Sequence, residues 1–557
     1  MLNSDPIFQI PKKGLYFLSL GGIGEIGANC YLYGSDNKWI MIDLGLAFAD
    51  DKYPGIDLLL PQVDFLDQIK DNLEAVIISH GHEDHAGALA FFIDKINCPI
   101  YATGFASSLI KNRLKEFGKL DSSNINIIDP KKTLKFKNFE LKFISITHSI
   151  PEPYSIVINT KYGKLLHTAD WKIDENPLIG ENFDKQPFEN LGEDGLLALI
   201  GDSTNADSIG HSQSEFKVRE ELINIFARYD KRIVATCFSS NIARIESIAK
   251  AAEKNNRNVV LVGRSMNRTI QAAIDNNYLK DVKNFISEEE ASYTSRENLV
   301  IICTGSQGEK RSALYRIAYN SHPTIHLESG DVVIFSSKDI PGNEKSINNL
   351  QNLLIRQKVE IITSNDELVH VSGHCYADEI KKLYQWTRPY ISIPVHGEPK
   401  HLVAHSKLAQ SVQVPITKIL NNGICFKIAP NEPEIYGKIQ TGKLIVEGKN
   451  IYSSDIDFIK DRRKFSFEGL ILVSLIINND YSLHKEIKIS QNGLAVEKMN
   501  KIEMYFKDIF LKEYLKLSKD KKSSDIIISN LVKKILRKYT KIELGKKPEV
   551  NLHIIRL

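Results

Sequence analysis

Short apolar, β-branched runs alternate along most of this chain with stretches of helical character, joined by loops rich in glycine, serine and acid. Leu15-Tyr16-Phe17-Leu18-Ser19-Leu20, Leu73-Glu74-Ala75-Val76-Ile77-Ile78-Ser79 and Leu197-Ala198-Leu199-Ile200 predict buried strands, because they are short, apolar and bounded by turn residues. Residues 133–146 alternate in polarity and also predict strands. Arg232-Ile233-Val234-Ala235-Thr236, Asn258-Val259-Val260-Leu261-Val262 and Leu299-Val300-Ile301-Ile302-Cys303 each open a strand–helix unit, the pattern of a parallel sheet. Residues 449–469, with Ser453-Ser454-Asp455 and Lys460-Asp461-Arg462-Arg463-Lys464, turn polar and are expected to form a linker. Strands over 470–478 and 486–490 and a basic amphipathic helix over 526–539 then predict a short α/β domain.

The unusual chemistry sits in the loops. His80-Gly81-His82-Glu83-Asp84-His85 leaves the strand at 73–79 and enters residues 86–93, which predict a helix. It therefore lies at the C-terminal end of a strand, where α/β folds place their reactive groups. Residues two apart on an extended loop point the same way, so His80 and His82 can bind one ion together. Asp84 and His85, at the turn into the helix, can face a second. Three imidazoles and a carboxylate suit zinc or manganese better than an iron–sulfur cluster. Four ligand-type side chains in six residues make a chance histidine-rich loop the weaker explanation.

Two other loops bear on function. Gly22-Ile23-Gly24-Glu25-Ile26-Gly27 follows the first strand and spells GxGxxG, with Asp43 at the distance of a ribose-binding acid. A dinucleotide site needs a helix to start within those glycines. Asn29-Cys30-Tyr31-Leu32-Tyr33-Gly34 and Trp39-Ile40-Met41-Ile42-Asp43 read instead as a hairpin, which rejects that site. His370-Val371-Ser372-Gly373-His374 sets small residues between histidines, which lets backbone N–H groups approach a phosphate closely.

His80-x-His82-x-Asp84-His85 resembles the signature of the metallo-β-lactamase superfamily. Thr304-Gly305-Ser306-Gln307-Gly308-Glu309, Pro341-Gly342-Asn343-Glu344, Phe238-Ser239-Ser240-Asn241-Ile242-Ala243-Arg244 and Gly263-Arg264-Ser265-Met266 narrow the resemblance to the β-CASP nucleases, and within them to the ribonuclease J family. Ser239 replaces an alanine of that family's pattern, Ala243 a histidine, and Lys310 a common proline. The resemblance implies an αββα metallo-β-lactamase sandwich with an inserted β-CASP α/β domain and a small C-terminal α/β domain. The boundaries expected are 1–205 and 361–448 for the first domain, 206–360 for the insert, 449–469 for the linker and 470–557 for the last domain. Metal ligands resume only at His396, as an insertion requires.

The same resemblance implies two zinc ions per chain, with manganese or magnesium as alternatives. His80, His82 and His148 would hold one, Asp84, His85 and His396 the other, with Asp170 bridging and Asp43 orienting the ligands from behind. His374 is then expected to protonate the departing oxygen while Asp202 holds its tautomer. Ser239, Ser240, Asn241, Arg264 and the loop of His370, Val371, Ser372, Gly373 and His374 are expected to line a pocket for a 5′ phosphate. The implied activity is 5′-to-3′ exonuclease with some endonuclease cutting of single-stranded RNA, in RNA maturation and decay including rRNA processing. A homodimer or homotetramer is implied, with the C-terminal domain supporting self-association.

Composition adds limits. No run approaches the roughly 18 apolar residues of a membrane helix. Residues 1–6 lack the basic-then-apolar pattern of a secretory signal, and six scattered cysteines form no CxxC pair. A cytoplasmic protein with reduced, buried thiols and no membrane partner is expected. The net charge of +3 hides an asymmetry, since residues 501–557 hold 15 Lys and Arg against 7 Asp and Glu. Such a tail suits a phosphate backbone, although a solvated lysine-rich face fits the charge equally well. A two-zinc hydrolase of thioesters or lactams is disfavoured by the large insert and the basic tail. An RNA-binding scaffold with a dead site would show degraded ligands, whereas all seven are present. DNA hydrolysis stays open, because nothing in the sequence visibly reads a 2′-hydroxyl.

Overall fold

The computed structural model describes residues 8–340, 342–484 and 486–557. The first six residues, read above for a secretory pattern, and Pro341 of the Pro341-Gly342-Asn343-Glu344 segment lie outside the described residues. The chain divides into two compact units, one running to Phe48 with Leu58–Leu444, the other Ala49–Asp57 with Ile445–Leu557.

In the larger unit two sheets face each other. The first has eight strands in the order Glu434–Lys438, Ile424–Ala429, Leu15–Gly21, Cys30–Ser35, Lys38–Ile42, Leu73–Ile77, Ile100–Ala102 and Ile125–Ile127. The second has seven: Ile416–Thr417, Ile391–Val395, Ala198–Asp202, Gly163–His167, Tyr154–Thr160, Glu140–Ser145 and Leu134–Lys135. Alternate residues of each point inward, so Leu15, Phe17, Tyr31 and Ile40 meet Leu141, Ile156, Leu165 and Ile200 in one core. The outer face of the second sheet is covered by Gln186–Asp194, Ala377–Thr387 and Pro399–Ser411, through Phe188, Ile380, Leu383 and Ala409 against Leu166 and Leu199. Covering both faces explains why the central strands read as continuous apolar runs. The architecture is the expected αββα sandwich, and the glycine-rich loop leads into a hairpin, Cys30–Ser35 against Lys38–Ile42.

Ala198–Asp202 and Ile391–Val395 pair in parallel, Asp202 opposite Val395, so the chain leaves the sandwich and returns on the adjacent strand. Between them a five-stranded parallel sheet runs Asn258–Val262, Leu299–Cys303, Ile233–Thr236, Val332–Phe335, Glu360–Ile362. Glu215–Ala227, Ile242–Lys254 and Arg264–Asp275 cover one face, Ala313–Ala318 and Glu344–Arg356 the other. The return expected at residue 361 falls inside the last strand. That strand is a three-residue edge with no composition break to mark it.

One buried ion pair ties parts of the insert to the segment that carries His370. The Arg244 side chain is fully buried, and its Nε and Nη2 donate to the Glu215 carboxylate at 2.5 and 2.8 Å. Its Nη1 donates to the Ser336 and Val369 carbonyls at 2.8 and 2.9 Å. Two helices, a strand end and the segment leading to His370 are thereby joined.

In the smaller unit, Leu470–Ile477 pairs antiparallel with Lys488–Asn492 and parallel with Glu549–Arg556. Met499–Leu515 and Asp525–Leu544 bury Phe506, Phe510, Val532 and Leu536 against Ile471, Val473 and Leu475. Residues 449–469 are not an irregular linker. They form the strand Asn450–Ser453 and the helix Asp457–Glu468, whose buried apolar residue is Ile459 alone, too little to leave a periodic signal. The six cysteines are free thiols, all buried except the half-buried Cys98. No described helix is long and apolar enough to cross a membrane.

The Arg244 pair makes a stability prediction. Arg244→Ala leaves Glu215 charged and buried without its partner, which should cost about 3–5 kcal/mol. Arg264→Ala, at an exposed position, should stay within about 0.5 kcal/mol of the parent. Thermal melting of both variants tests this, and equal losses would contradict the role given to Arg244.

Candidate metal centre

The histidine-rich loop departs from the strand Leu73–Ile77 and is held by backbone donors from the hairpin side. Asn29 N, Leu44 N and Leu46 N donate to the carbonyls of Asp84, His85 and Glu83 at 3.0, 2.8 and 3.0 Å. A Cβ on Gly45 would stand 1.6 Å from the Asp84 carbonyl oxygen, so only glycine allows the approach. The expected helix at 86–93 is split into Glu83–Ala86 and Leu89–Phe92. Its first turn begins inside the motif, with His82 extended at φ −67° and ψ 149° as the preceding cap.

His80 Nε2 and His148 Nε2 lie 3.1 and 3.0 Å from His82 Nδ1. Ligand atoms around a tetrahedral zinc with bonds of about 2.0–2.1 Å are roughly 3.3 Å apart, close to this spacing. Asp170 Oδ2 is 3.1 Å from His85 Nε2, 3.4 Å from His396 Nε2, 3.7 Å from His148 Nε2 and 3.8 Å from His80 Nε2. Asp84 Oδ2 is 3.6 Å from both His85 and His396 Nε2. Three of the rings are tied off behind. His80 Nδ1 meets Ser79 Oγ at 2.9 Å, His85 Nδ1 meets Asp43 Oδ2 at 2.7 Å, and His148 Nδ1 meets the Gly373 carbonyl at 2.6 Å. Such acceptors hold the ring proton on Nδ1 and leave the Nε2 lone pair for an ion. The donor set fits divalent cations. One group is His80, His82, His148 and Asp170, a second Asp84, His85, Asp170 and His396.

Electrostatics agree with that fit for the first group. Burial pushes His80 and His82 well below the ordinary histidine range and His148 down to about 3, so these imidazoles are neutral, the ligand form. Burial also opposes charge on His85, but Asp170, Asp84 and Asp43 outweigh it and push that ring well up. Burial of Asp170 favours its neutral form, yet His396, His85 and His374 hold the carboxyl well below the usual carboxylate range. Asp43, Ala169 and His396 all take left-handed backbone, at φ 63°, 52° and 51°. Non-glycine residues persist there only where the surroundings dictate it. For His396 the tie is its N–H, donated to the Gly22 carbonyl at 2.6 Å.

Beside this cluster His374 Nδ1 lies 2.8 Å from Asp202 Oδ2. Asp202 is held in turn by Thr204, whose N–H and Oγ1 donate to Oδ1 at 2.9 and 2.7 Å. Burial would lower the His374 pKa, but Asp202 and Asp170 raise it to about 9. The His374 N–H donates to Ser372 Oγ at 3.1 Å, and Asn205 Nδ2 donates to the same oxygen at 2.8 Å.

The residues expected around a 5′ phosphate are only partly brought together. Asn241, Val371, Ser372 and Gly373 line one cleft with His148, Lys172 and Ala243. Ser239 and Ser240 are half-buried in the turn before Asn241, whose Oδ1 caps the next helix by accepting from the Arg244 N–H at 2.9 Å. His370 is half-buried, its Nδ1 3.4 Å from Arg244 Nη1, and burial together with Arg244 holds its pKa well down. Arg264 is exposed on the first turn of its helix and does not line the cleft. Two ion pairs at or near the cleft were not anticipated: Arg244 with Glu215, and buried Lys172 with Asp174 at 3.3 Å. Lys172 and Asp174 follow Asp170 at alternate positions along the chain, and both line the cleft.

Family models match the chain in sequence order: the metallo-beta-lactamase superfamily over 23–185, the ribonuclease J beta-CASP domain over 230–354, the Zn-dependent metallo-hydrolase RNA specificity domain over 358–417, and the ribonuclease J C-terminal domain over 457–557. Ribonuclease J of Sinorhizobium meliloti is 39% identical over 550 residues, covering 98% of this chain and 97% of that protein. The chain belongs to the ribonuclease J family. Ribonuclease J of Thermus thermophilus is 34% identical over 84% of each chain, and ribonuclease J 1 of Streptococcus pyogenes 36% identical over 82% of this chain and 81% of that one. A solved structure, a protein of unknown function from Enterococcus faecalis V583, superposes with a TM-score of 0.51 at 14% identity. It covers 74% of this chain and 99% of its own, and shows the fold alone. As a member of the ribonuclease J family, the chain is a metal-dependent nuclease that hydrolyses RNA.

Gly373 offers a test of the cluster's geometry. A Cβ there would stand 2.8 Å from His148 Cε1, His148 Nδ1 and Ser149 Oγ. Gly373→Ala should displace the His148 ring and lower metal affinity about ten- to a hundredfold, the usual effect of losing the partner behind a ligand. A metal titration of the variant checks this, and unchanged affinity would mean the ring has room to spare.

Proposed function

We propose that this chain is a two-zinc ribonuclease that degrades single-stranded RNA from its 5′ end and also cuts internally. The observation that carries the reading is Asp170 Oδ2, within 3.8 Å of one Nε2 group from His80 and His148 and of another from His85 and His396. His80, His82 and His148 would hold one ion and Asp84, His85 and His396 the other, with Asp170 common to both groups and Asp43 fixing the His85 ring. Manganese or magnesium could substitute for zinc at the same ligands. Ions held there polarise phosphoryl oxygens and acidify water to near neutrality.

The remaining chemistry belongs to the chain. His374 keeps its proton at neutral pH and gives it to the departing 3′ oxygen, while Asp202 holds Nδ1–H and keeps Nε2 facing the substrate. Exposure supports this division of roles: the His374 side chain is 21% exposed and can meet RNA, whereas His396 is 3% exposed and cannot. A scaffold with a dead site fits poorly, since all seven ligand-type side chains converge.

The cleft beside His148 is the proposed site for the terminal phosphate. Asn241, Ser372 and the Gly373 backbone supply polar groups, the turn at Ser239 and Ser240 and the His370 segment border it, and Lys172, paired with Asp174, also lines it. Arg264 is left out of this pocket. Action in RNA maturation and decay, including rRNA processing, in the cytoplasm as a homodimer or homotetramer, completes the proposal.

Two experiments separate its parts. His396→Ala should lower zinc per chain. His374→Ala should keep both ions and slow RNA cleavage by roughly a hundredfold or more. Loss of an ion from His374→Ala would overturn the assignment. RNAs alike except for a 5′ monophosphate, triphosphate or hydroxyl should decay at different rates, the monophosphate fastest, because added charge crowds a closed pocket and a hydroxyl leaves its donors unpaired. Equal rates would rule out the pocket.

A further inference from the structure

Of the four histidines that turn Nε2 toward Asp170 in the metal cluster, three have Nδ1 tied to a protein oxygen, and His396 does not. Its Nδ1 is buried and without a hydrogen-bond partner among the described residues. A second buried ring nitrogen in the same condition is His167 Nε2. Both residues line one small cavity behind the cluster, together with Tyr31, His85, Thr168 and Asp170. Buried N–H groups in folded proteins find a protein acceptor or an ordered water, and polar cavities of this kind are where such waters sit.

The proton positions follow from the opposite side of each ring. Tyr33 Oη lies 2.9 Å from His167 Nδ1 and makes no other hydrogen bond among the described residues. We assign the hydroxyl as the donor to Nδ1, which puts the proton of His167 on Nε2, the nitrogen left without a protein partner. His396 Nε2 faces Asp84 and Asp170 at 3.6 and 3.4 Å. On the two-ion reading above, on which this inference rests, that nitrogen is a ligand and the His396 proton is on Nδ1. Two N–H donors thus share a cavity that offers neither of them a protein acceptor. They need a small acceptor with two lone pairs and protons of its own to return to a carboxylate.

We propose that this cavity holds one ordered water, which accepts hydrogen bonds from His396 Nδ1 and His167 Nε2 and donates one to the Asp170 carboxylate. His167 is then a positioning residue. It stands at the end of the strand Gly163–His167, its ring 5.2 Å from that of Tyr31, and fixes the His396 ring through the water as Asp43 fixes His85 directly. A direct carboxylate behind His396 would add a further negative charge to a site that already gathers Asp84, Asp170 and Asp202. A water supplies the acceptor without that charge.

The test uses the zinc-loaded, full-length protein. A high-resolution crystal structure should show one water within hydrogen-bond distance of His167 Nε2 and His396 Nδ1, and an empty cavity there would overturn the proposal without any variant. His167→Phe keeps the ring volume and removes the donor. In chelator competition it should weaken the ion bound by His396 about tenfold and leave the ion bound by His80, His82 and His148 unchanged. His167→Gln, whose amide can donate, should recover most of that affinity. Equal affinities in all three proteins, or equal weakening of both ions, would overturn the role of His167. Failure of the two-ion reading itself would look different, because the parent protein would then take up fewer than two zinc ions.

Discussion

The site depends on one buried carboxylate oxygen. Asp170 Oδ2 has five imidazoles within 3.9 Å, from His80, His82's neighbour His148, His85, His396 and His374. A carboxylate taken out of water alone would hold a proton, and five crowded imidazoles alone would repel one another once charged. Together they satisfy each other, and divalent cations satisfy the arrangement better still. Each partner therefore constrains the next, which is why the surrounding backbone tolerates left-handed conformations at Asp43, Ala169 and His396.

The sandwich makes that convergence available. His80, His148, Asp170, Asp202 and His396 each follow or close a strand, namely Leu73–Ile77, Glu140–Ser145, Gly163–His167, Ala198–Asp202 and Ile391–Val395. These strands belong to two facing sheets, and their C-terminal ends bring distant parts of the sequence to one edge. The insert does not disturb this geometry, because it leaves and re-enters on paired strands with Asp202 opposite Val395. It also contributes to the site. Arg244, neutralised by Glu215, binds the carbonyls of Ser336 and Val369 and so fixes the approach to the His370–His374 loop. Gly373 in that loop then accepts from His148, so the insert side and the ligand side share a hydrogen bond.

Much of this was legible because it is local. The hairpin that excludes a dinucleotide site, the strand before His80 and the strand–helix units of the insert all rest on side-chain periodicity within a few residues. Features that depend on distant partners were not. The helix Asp457–Glu468 buries Ile459 alone among its residues, so its polar sequence looked like a linker. The strand Glu549–Arg556 acquires its identity from pairing with Leu470–Ile477, far away in sequence. Arg264 follows a glycine in a pattern suited to phosphate, yet the first helical turn points it to solvent. Arg244, an arginine on a helix, is by contrast fully buried.

By itself the sequence determined which chemistry is present: a dense run of imidazoles and carboxylates at a strand end, further histidines and acids closing later strands, and the segments that mark the family. Ligand identity is a property of side-chain type and short spacing, and both are written along the chain. The tertiary structure alone decided which oxygen the two ligand groups share, which rings are tied off behind and which nitrogen is left to an interior cavity. It also decided that Arg244 is buried in an ion pair and Arg264 exposed to solvent. These are properties of distance and burial between residues hundreds of positions apart, and only the packing of the two sheets sets them.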